Sequence, residues 1–143
     1  MRIVVETLIH APREIVFDLA RDVDAHTRSA SFSRERAVPP GRTSGLLEPG
    51  DSVTFEGRHL GIRQRFTVRI TEMQRPLRYV DEASHGALRN LRHVHEFEEA
   101  GDGTRMRDTL EWTSPFGILS AWYLRRFVKR KQSELKRMAE SRS

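Results

Sequence analysis

Residues 62–71 read Ile62-Arg63-Gln64-Arg65-Phe66-Thr67-Val68-Arg69-Ile70-Thr71, an alternation of mostly apolar with polar side chains. Successive side chains of a β-strand point to opposite faces of the sheet, so this period of two predicts a strand with one buried and one solvated face. Gln64 interrupts the apolar row, and a buried amide there needs a hydrogen-bond partner. Asp81 or Glu82 could join it, depending on which of these two residues faces inward. The stretch therefore predicts an antiparallel sheet that covers a core on one side.

Strand patterns of the same kind occur along much of the chain. Five further segments show them: residues 2–9, 51–59, 77–84, 88–98 and 104–113. The sequence Gly101-Asp102-Gly103 predicts a hairpin between the last two segments, and His85-Gly86 lies near the preceding turn. Because short turns join antiparallel neighbours, these segments predict one antiparallel sheet.

Helical patterns flank the strands. Pro12 suits the first position of a helix, and residues 24–32 suit a short helix or a turn. Ser114-Pro115 predicts the start of a long helix over about residues 116–138, since serine caps helices and proline suits their first position. The first helix carries an apolar stripe formed by Ile15, Val16, Leu19, Ala20 and Val23. The apolar side of the long helix carries Ala121, Leu124, Val128, Leu135 and Met138.

The order of these elements predicts one α+β domain over residues 1–143. A length of 143 residues suits a single domain, and a hydrophobic share of 37% lies well above the range of disordered chains. A curved sheet and one long helix rarely close completely against each other. We therefore expect a ligand-sized cavity between them.

Composition excludes several kinds of site. The chain has no cysteine, which excludes disulfides and thiolate metal sites. No stretch approaches the roughly 18 apolar residues that would span a bilayer, so we expect no membrane span and a cytoplasmic location. The sequence also lacks a Gly-x-Ser-x-Gly elbow, a phosphate-binding glycine loop and a dinucleotide fingerprint. We therefore expect no cofactor.

The net charge of +5 raises the question of an acidic partner. Much of the excess follows Arg125, and the outer face of the sheet is expected to carry Arg58, Arg63, Arg65 and Arg69. These surfaces could bind an acidic protein or RNA, or they could be solvated and paired with acidic neighbours. Exposed aromatic side chains that could stack on bases are not evident, which disfavours a nucleic-acid partner.

Two neighbouring strand segments carry polar side chains on otherwise apolar faces. One face presents Leu91, His93, His95 and Phe97, and the next presents Met106, Asp108, Leu110 and Trp112. If the hairpin pairs Phe97 with Met106, His95 falls opposite Asp108. Directly opposed Cβ atoms lie about 4.5–5.5 Å apart, so the two side chains could hydrogen-bond. Such a pair could satisfy itself in the core, anchor a ligand or move protons.

Metal binding has weaker support in the sequence. His93 and His95 could offer two ligands from one strand, but the spacing suggests no third ligand, so we expect no metal. His59 lies next to a glycine-containing turn and suits either the cavity rim or the exposed surface.

Several stretches of the sequence resemble those of a known family. Residues 9–17, Ile9-His10-Ala11-Pro12-Arg13-Glu14-Ile15-Val16-Phe17, followed by Asp22-Val23, resemble the first strand–helix junction of the START-like (SRPBCC) superfamily. Further stretches resemble a bacterial, cyclase/dehydrase-like branch of this superfamily: residues 55–64, 69–72, 79–82, 93–98, 103–108 and 115–117. Members of that branch often carry Trp at the position of Leu91, and Gly-Pro-Phe at that of Gly86-Ala87-Leu88.

The resemblance implies the helix-grip fold, in which a curved antiparallel sheet wraps around a long C-terminal α-helix. It also implies binding of a small hydrophobic molecule between sheet and helix. We expect ligand contacts from Phe55, Gln64, Phe66, Leu91, His93, Leu110, Trp112 and Leu124.

Two other functions are kept open. The first is a polyketide cyclase or dehydratase-like enzyme in which His95 moves protons and Asp108 supports it. The second is an interaction module that binds an acidic protein or RNA. A homodimer is compatible with each of them.

Overall fold

The computed structural model describes residues 1–83 and 88–142. Its strands are β1 (Arg2–Ile9), β2 (Arg36–Val38), β3 (Ser52–His59), β4 (Ile62–Gln74), β5 (Arg78–Ala83), β6 (Arg89–Ala100) and β7 (Gly103–Thr113). Its helices are α1 (Arg13–Ala20), α2 (Val23–Ser29) and α3 (Ile118–Glu140), with a 3-10 turn at Ser31–Ser33. The turn at His85-Gly86 and the departure at Gly86-Ala87 lie outside the described residues.

The strands form one seven-stranded sheet in the order β1-β7-β6-β5-β4-β3-β2, with antiparallel neighbours throughout. The sheet curls into a half-barrel around α3, so the predicted α+β helix-grip class is confirmed. Sequence patterns missed β2, because three residues are too few to show a period of two.

The β6–β7 hairpin has the predicted register. Phe97 pairs with Met106 and His95 pairs with Asp108. Gly101 supplies the turn with a φ of 61°, a left-handed conformation that favours glycine. Gly103 leaves room for β1, since a Cβ at this position would lie 2.4 Å from the carbonyl oxygen of Ile9.

The helix α3 lies along the concave face of the sheet and is fixed to it by polar contacts. The side-chain amide of Gln132 donates to the carbonyl oxygen of Val5 at 3.0 Å. Nearer the start of the helix, the Trp112 indole N–H donates to Ser120 Oγ at 3.0 Å. These contacts hold α3 against the sheet at two points along the helix, and the interior of the protein lies between helix and sheet.

The predicted helix starts differ slightly from the observed ones. Pro12 occupies the N-cap position of α1 and not the first helical position. Ser114 does not cap α3; its Oγ accepts from the N–H of Phe116, and this turn delays the helix until Ile118.

A closed apolar core fills one end of this interior. Phe17 of α1 is fully buried and meets the rings of Tyr79 and Phe97 edge-on, at centroid distances of 5.5 and 5.1 Å. Because α1 covers this end, unfilled space is left toward β3, β4 and the start of α3.

The arginine-bearing outer face of the sheet is exposed, as the alternation predicted. Glu56 on this face lies within 4.0 Å of Arg36, Arg63 and Arg65. This part of the face is therefore paired with an acidic neighbour.

Candidate functional site

A cavity of about 380 Å³ lies between the concave face of the sheet and α3. Its lining is mostly apolar, as in sites for small molecules. Of the expected ligand contacts and the His95–Asp108 pair, it is lined by Phe55, Gln64, Phe66, Leu91, His93, His95, Asp108, Leu110 and Leu124.

Trp112 is the exception among the expected ligand contacts, because it does not line the cavity. Its side chain is 2% exposed, and its indole N–H is used by Ser120 of α3. Its alternation with Leu110 placed it on the correct face of β7 but could not show that the start of α3 covers it.

Exposed apolar side chains mark the mouth of the cavity. Leu60 and Ile62 at the β3–β4 turn are 66% and 62% exposed, and both line the cavity. Phe116 and Leu119 at the start of α3 are 61% and 50% exposed and line it from the other side. The opening therefore lies between the β3–β4 turn and the N-terminus of α3.

Five polar residues form a central cluster on the cavity wall: Asp81, His93, His95, Asp108 and Gln132. His93 Nε2 lies 2.7 Å from Asp108 Oδ1, and His95 Nδ1 lies 3.0 Å from the same oxygen. His95 Nε2 lies 2.7 Å from Asp81 Oδ2, and the Gln132 amide donates to Asp108 Oδ2 at 2.6 Å. Asp108 is thus shared between two imidazoles, and His95 between two carboxylates.

The central cluster separates the pKa values of its two histidines. Burial alone would lower the pKa of His95, but its hydrogen bonds with Asp108 and Asp81 outweigh burial and raise that pKa. Burial and the charge of His95 lower the pKa of His93, against the attraction of Asp108. Burial would raise the pKa of Asp108, yet contacts with both histidines hold it well below its usual value. The cluster therefore favours the charged imidazolium at His95 and the neutral ring at His93.

Asp81 was only partly visible in the sequence, where either Asp81 or Glu82 could face inward. The structure buries Asp81 and exposes Glu82. It also brings Asp81, His93 and His95 together, with their possible ligand atoms within 4.8 Å of one another. These three residues could hold a metal ion. Sequence spacing did not reveal this set of ligands, because Asp81 comes from a neighbouring strand.

A second group, the rim cluster, comprises His26, Glu35, His59 and Tyr123. Glu35 Oε1 lies 2.8 Å from His26 Nε2, and Glu35 Oε2 lies 3.1 Å from His59 Nε2. The second contact is close but not aligned as a hydrogen bond, since His59 Nε2 has no such partner among the described residues. His59 Nδ1 lies 2.5 Å from the Tyr123 hydroxyl, and all four residues line the cavity.

Local backbone geometry brings Glu35 inward. Arg34, directly after the 3-10 turn, has a left-handed φ of 56°, which reverses the chain before Glu35. Gly57 on β3 leaves the necessary space, because a Cβ there would lie 2.6 Å from Glu35 Cγ. A lone glycine inside a strand signals such a close approach, and it was the one available sequence clue to this group.

Glu35 is buried and ionised. Burial would raise its pKa, but the hydrogen bond with His26 and the close contact with His59 outweigh burial and lower that pKa to about 2. Burial lowers the pKa of His26, whose ring stacks on Phe55 at 4.0 Å. His26 is therefore a neutral donor to Glu35.

Lys131 adds a cation to the cavity wall. It follows Tyr123 and Phe127 at intervals of four residues on α3 and so shares their face. Burial lowers the pKa of its ammonium group, although Asp108, Glu35 and Asp81 attract its charge. Sequence reasoning missed Lys131 because it stands in a basic run that is typical of a solvated helix face.

Comparison with known proteins gives a family match and structural neighbours. The family described as "Polyketide cyclase / dehydrase and lipid transport" matches residues 9–138. No curated protein matches the chain in sequence.

Solved structures share the fold over nearly the whole chain. TTHA0849 from Thermus thermophilus is 20% identical with a TM-score of 0.81, covering 100% of this chain and 99% of that one. CV1439 from Chromobacterium violaceum is 14% identical with a TM-score of 0.79, covering 98% of both chains. NE0264 from Nitrosomonas europaea is 11% identical with a TM-score of 0.75, covering 99% and 96%. At these identities the likeness supports the fold alone.

Proposed function

The chain belongs to the polyketide cyclase/dehydrase and lipid transport family, and from this premise we propose that it binds a small apolar molecule between the sheet and α3. The observation that carries the proposal is the cavity of about 380 Å³, with its mostly apolar wall and its two polar clusters. Cavities of a few hundred Å³ with few convergent polar groups are typical of small-molecule sites.

The apolar wall would supply most of the affinity. Phe55, Phe66, Leu91, Leu110 and Leu124 line it from both sheet and helix. Burial of apolar ligand surface against them gives about 25 cal/mol for each Å² removed from water. His93, His95, Asp108 and Gln64 would then orient a polar group of the ligand.

A cavity-filling variant tests this proposal. Leu91→Trp introduces a larger side chain into the cavity and should weaken binding of 2-methylnaphthalene at least tenfold in calorimetry. The matched control is Leu77→Trp, since Leu77 is exposed and does not line the cavity. Equal affinity of wild type and Leu91→Trp would contradict binding at this place. Native mass spectrometry of protein purified from cells would identify a natural ligand.

A second candidate function is acid–base catalysis on a polyketide-like carbonyl substrate. One observation favours it: His95 lies between two buried carboxylates, which raise its pKa, and it faces the cavity. A protonated imidazole in this position could donate a proton to a substrate carbonyl, with Asp81 and Asp108 fixing its orientation.

Substitution of the central cluster separates binding from catalysis. If the protein is an enzyme of this kind, His95→Gln should retain substrate binding and abolish turnover. A double variant, His95→Gln with Asp108→Asn, that kept full turnover would refute the catalytic role of this pair.

Localisation and assembly remain predictions from the sequence. Among the described helices, none combines the length and apolar character that crossing a bilayer requires. A cytoplasmic location and a homodimer are not tested by the structure.

A further inference from the structure

We infer that the Tyr123 hydroxyl, held by His59 beside the buried Glu35, binds a hydroxyl group of the ligand at its phenolic oxygen. This inference rests on the proposed binding function and adds to it a second polar contact, separate from the central cluster. It also names a ligand class: an apolar molecule with a hydroxyl group near the cavity mouth.

The chain of contacts runs from a buried carboxylate to the cavity. The Glu35 side chain is 0% exposed, and the His59 side chain is 16% exposed. His59 lies between Glu35 and Tyr123, with Nε2 at 3.1 Å from Glu35 and Nδ1 against the Tyr123 hydroxyl. Tyr123 is half-buried on α3 and lines the cavity.

The direction of each contact follows from the chemistry of the groups. Glu35 is ionised, so its oxygens only accept hydrogen bonds. We therefore assign His59 the tautomer with its hydrogen on the nitrogen that faces Glu35, where a bare lone pair would be repelled by the carboxylate, and Nδ1 is then the acceptor. Tyr123 consequently donates its hydroxyl hydrogen to His59 Nδ1.

This direction leaves the phenolic oxygen of Tyr123 with unused acceptor capacity. A hydroxyl oxygen that has donated its hydrogen still has two lone pairs. Within residues 1–83 and 88–142, His59 is the one hydrogen-bond partner of the Tyr123 hydroxyl. The group that complements it is a hydrogen-bond donor on the ligand, and a hydroxyl is the smallest one.

The position of Tyr123 places this contact near the mouth. Tyr123 follows the rim residue Leu119 by one helical turn, and His59 directly precedes the rim residue Leu60. Gln132, which belongs to the central cluster, lies nine residues further along α3, about 13 Å at 1.5 Å per residue. The two polar contacts are therefore far enough apart to fix an elongated ligand at both ends.

Two naphthalenes that differ in one group test the inference. 2-Naphthol and 2-methylnaphthalene have nearly the same shape, but only the former carries a hydroxyl. Tyr123→Phe removes the acceptor oxygen and keeps the ring. We expect calorimetry to show a five- to tenfold loss of affinity for 2-naphthol and an unchanged affinity for 2-methylnaphthalene, the loss expected for one hydrogen bond.

Control variants make the outcome specific. Trp122→Phe changes an exposed aromatic residue in the same helical turn, outside the cavity lining, and should alter neither affinity. Tyr123→Leu removes the hydroxyl with a strong helix former and should repeat the selective loss if Tyr123→Phe folds poorly.

The outcomes separate this inference from the proposed function. If both naphthalenes bind wild type and hydroxyl-free variants with unchanged or equally reduced affinity, the hydroxyl contact is wrong and the proposed function stands. If neither naphthalene binds the wild-type protein, both fall.

Discussion

His95 Nε2 lies 2.7 Å from Asp81 Oδ2, in a contact that joins β6 to β5 inside the cavity wall. Together with Asp108 on β7, Asp81 gives His95 a carboxylate on either side. Both carboxylates favour the charged imidazolium and oppose the effect of burial, which favours the neutral ring. The charge state of His95 on β6 therefore depends on carboxylates from both neighbouring strands, β5 and β7.

Replacement of Asp81 tests this dependence. Asp81→Asn keeps the shape of the side chain and removes its charge, so we expect the pKa of His95 to fall. Histidine titration by NMR would measure the shift directly. Glu82→Gln changes an exposed carboxylate on the same strand and should leave the pKa of His95 in place. A wild-type pKa in Asp81→Asn would show that Asp108 alone sets the charge of His95.

Glu35 makes stability depend on pH in a defined range. Its pKa is lowered from 4.5 to about 2 in the folded state. Because the folded pKa is depressed, this contribution to stability is present above pH 4.5 and is lost as pH falls toward 2. A shift of this size corresponds to roughly 3 kcal/mol.

Urea unfolding of Glu35→Gln over a pH series measures this contribution. The variant should be less stable than wild type by roughly 3 kcal/mol at pH 6, and the difference should shrink as pH falls below 4.5. Glu111→Gln, an exposed change on β7, should follow the wild-type pH profile. A difference between Glu35→Gln and wild type that is constant with pH would mean that packing, and not ionisation, is what the carboxylate contributes.

Gly57 should be intolerant of a side chain because Glu35 passes beside it. A Cβ at Gly57 would lie 2.6 Å from Glu35 Cγ and 3.1 Å from the carbonyl oxygen of Ser33. We expect Gly57→Ala to destabilise the fold by about 1–3 kcal/mol, the usual cost of overpacking. Chemical denaturation would show this, and Arg58→Ala on the exposed face of the same strand should change stability by less than about 0.5 kcal/mol. A fully stable Gly57→Ala would mean that Glu35 can move aside.

The fold could be predicted from the sequence because most strands and helices show the alternation of apolar and polar residues typical of their type. The strict alternation of β4 and the glycines of the β6–β7 turn predicted the sheet and the pairing of His95 with Asp108. The rim cluster could not be predicted in this way. Glu35 lies in an irregular segment, and its contacts with His26 and His59 depend on how α2 and β3 approach each other. A repeating apolar pattern shows which face of a strand or helix is buried. It does not show which side chain of a neighbouring element contacts that face.

Trp112 shows the same limit at a site residue. Its burial under α3 predicts a structural role, with the indole N–H held by Ser120. Trp112→Phe should lower stability by about 1–3 kcal/mol through the lost hydrogen bond and the space left behind. It should leave the affinity for 2-methylnaphthalene unchanged, as calorimetry on the folded variant would show. A selective loss of affinity in a stable variant would return Trp112 to the binding site.

Lys131 should lower the stability of the fold, because its ammonium group is buried in the cavity wall. Burial lowers the pKa of its ammonium group despite three attracting carboxylates, so the charged form is less stable in the folded protein than in water. Lys131→Met keeps the length of the side chain and removes the charge, and we expect it to raise stability at pH 7 by about 1 kcal/mol. Thermal unfolding would detect this, with Lys129→Met on the exposed side of α3 as the matched control near zero. A destabilised Lys131→Met would show that the attraction of Glu35, Asp81 and Asp108 outweighs the cost of burial, and that the ammonium group holds the two polar clusters together.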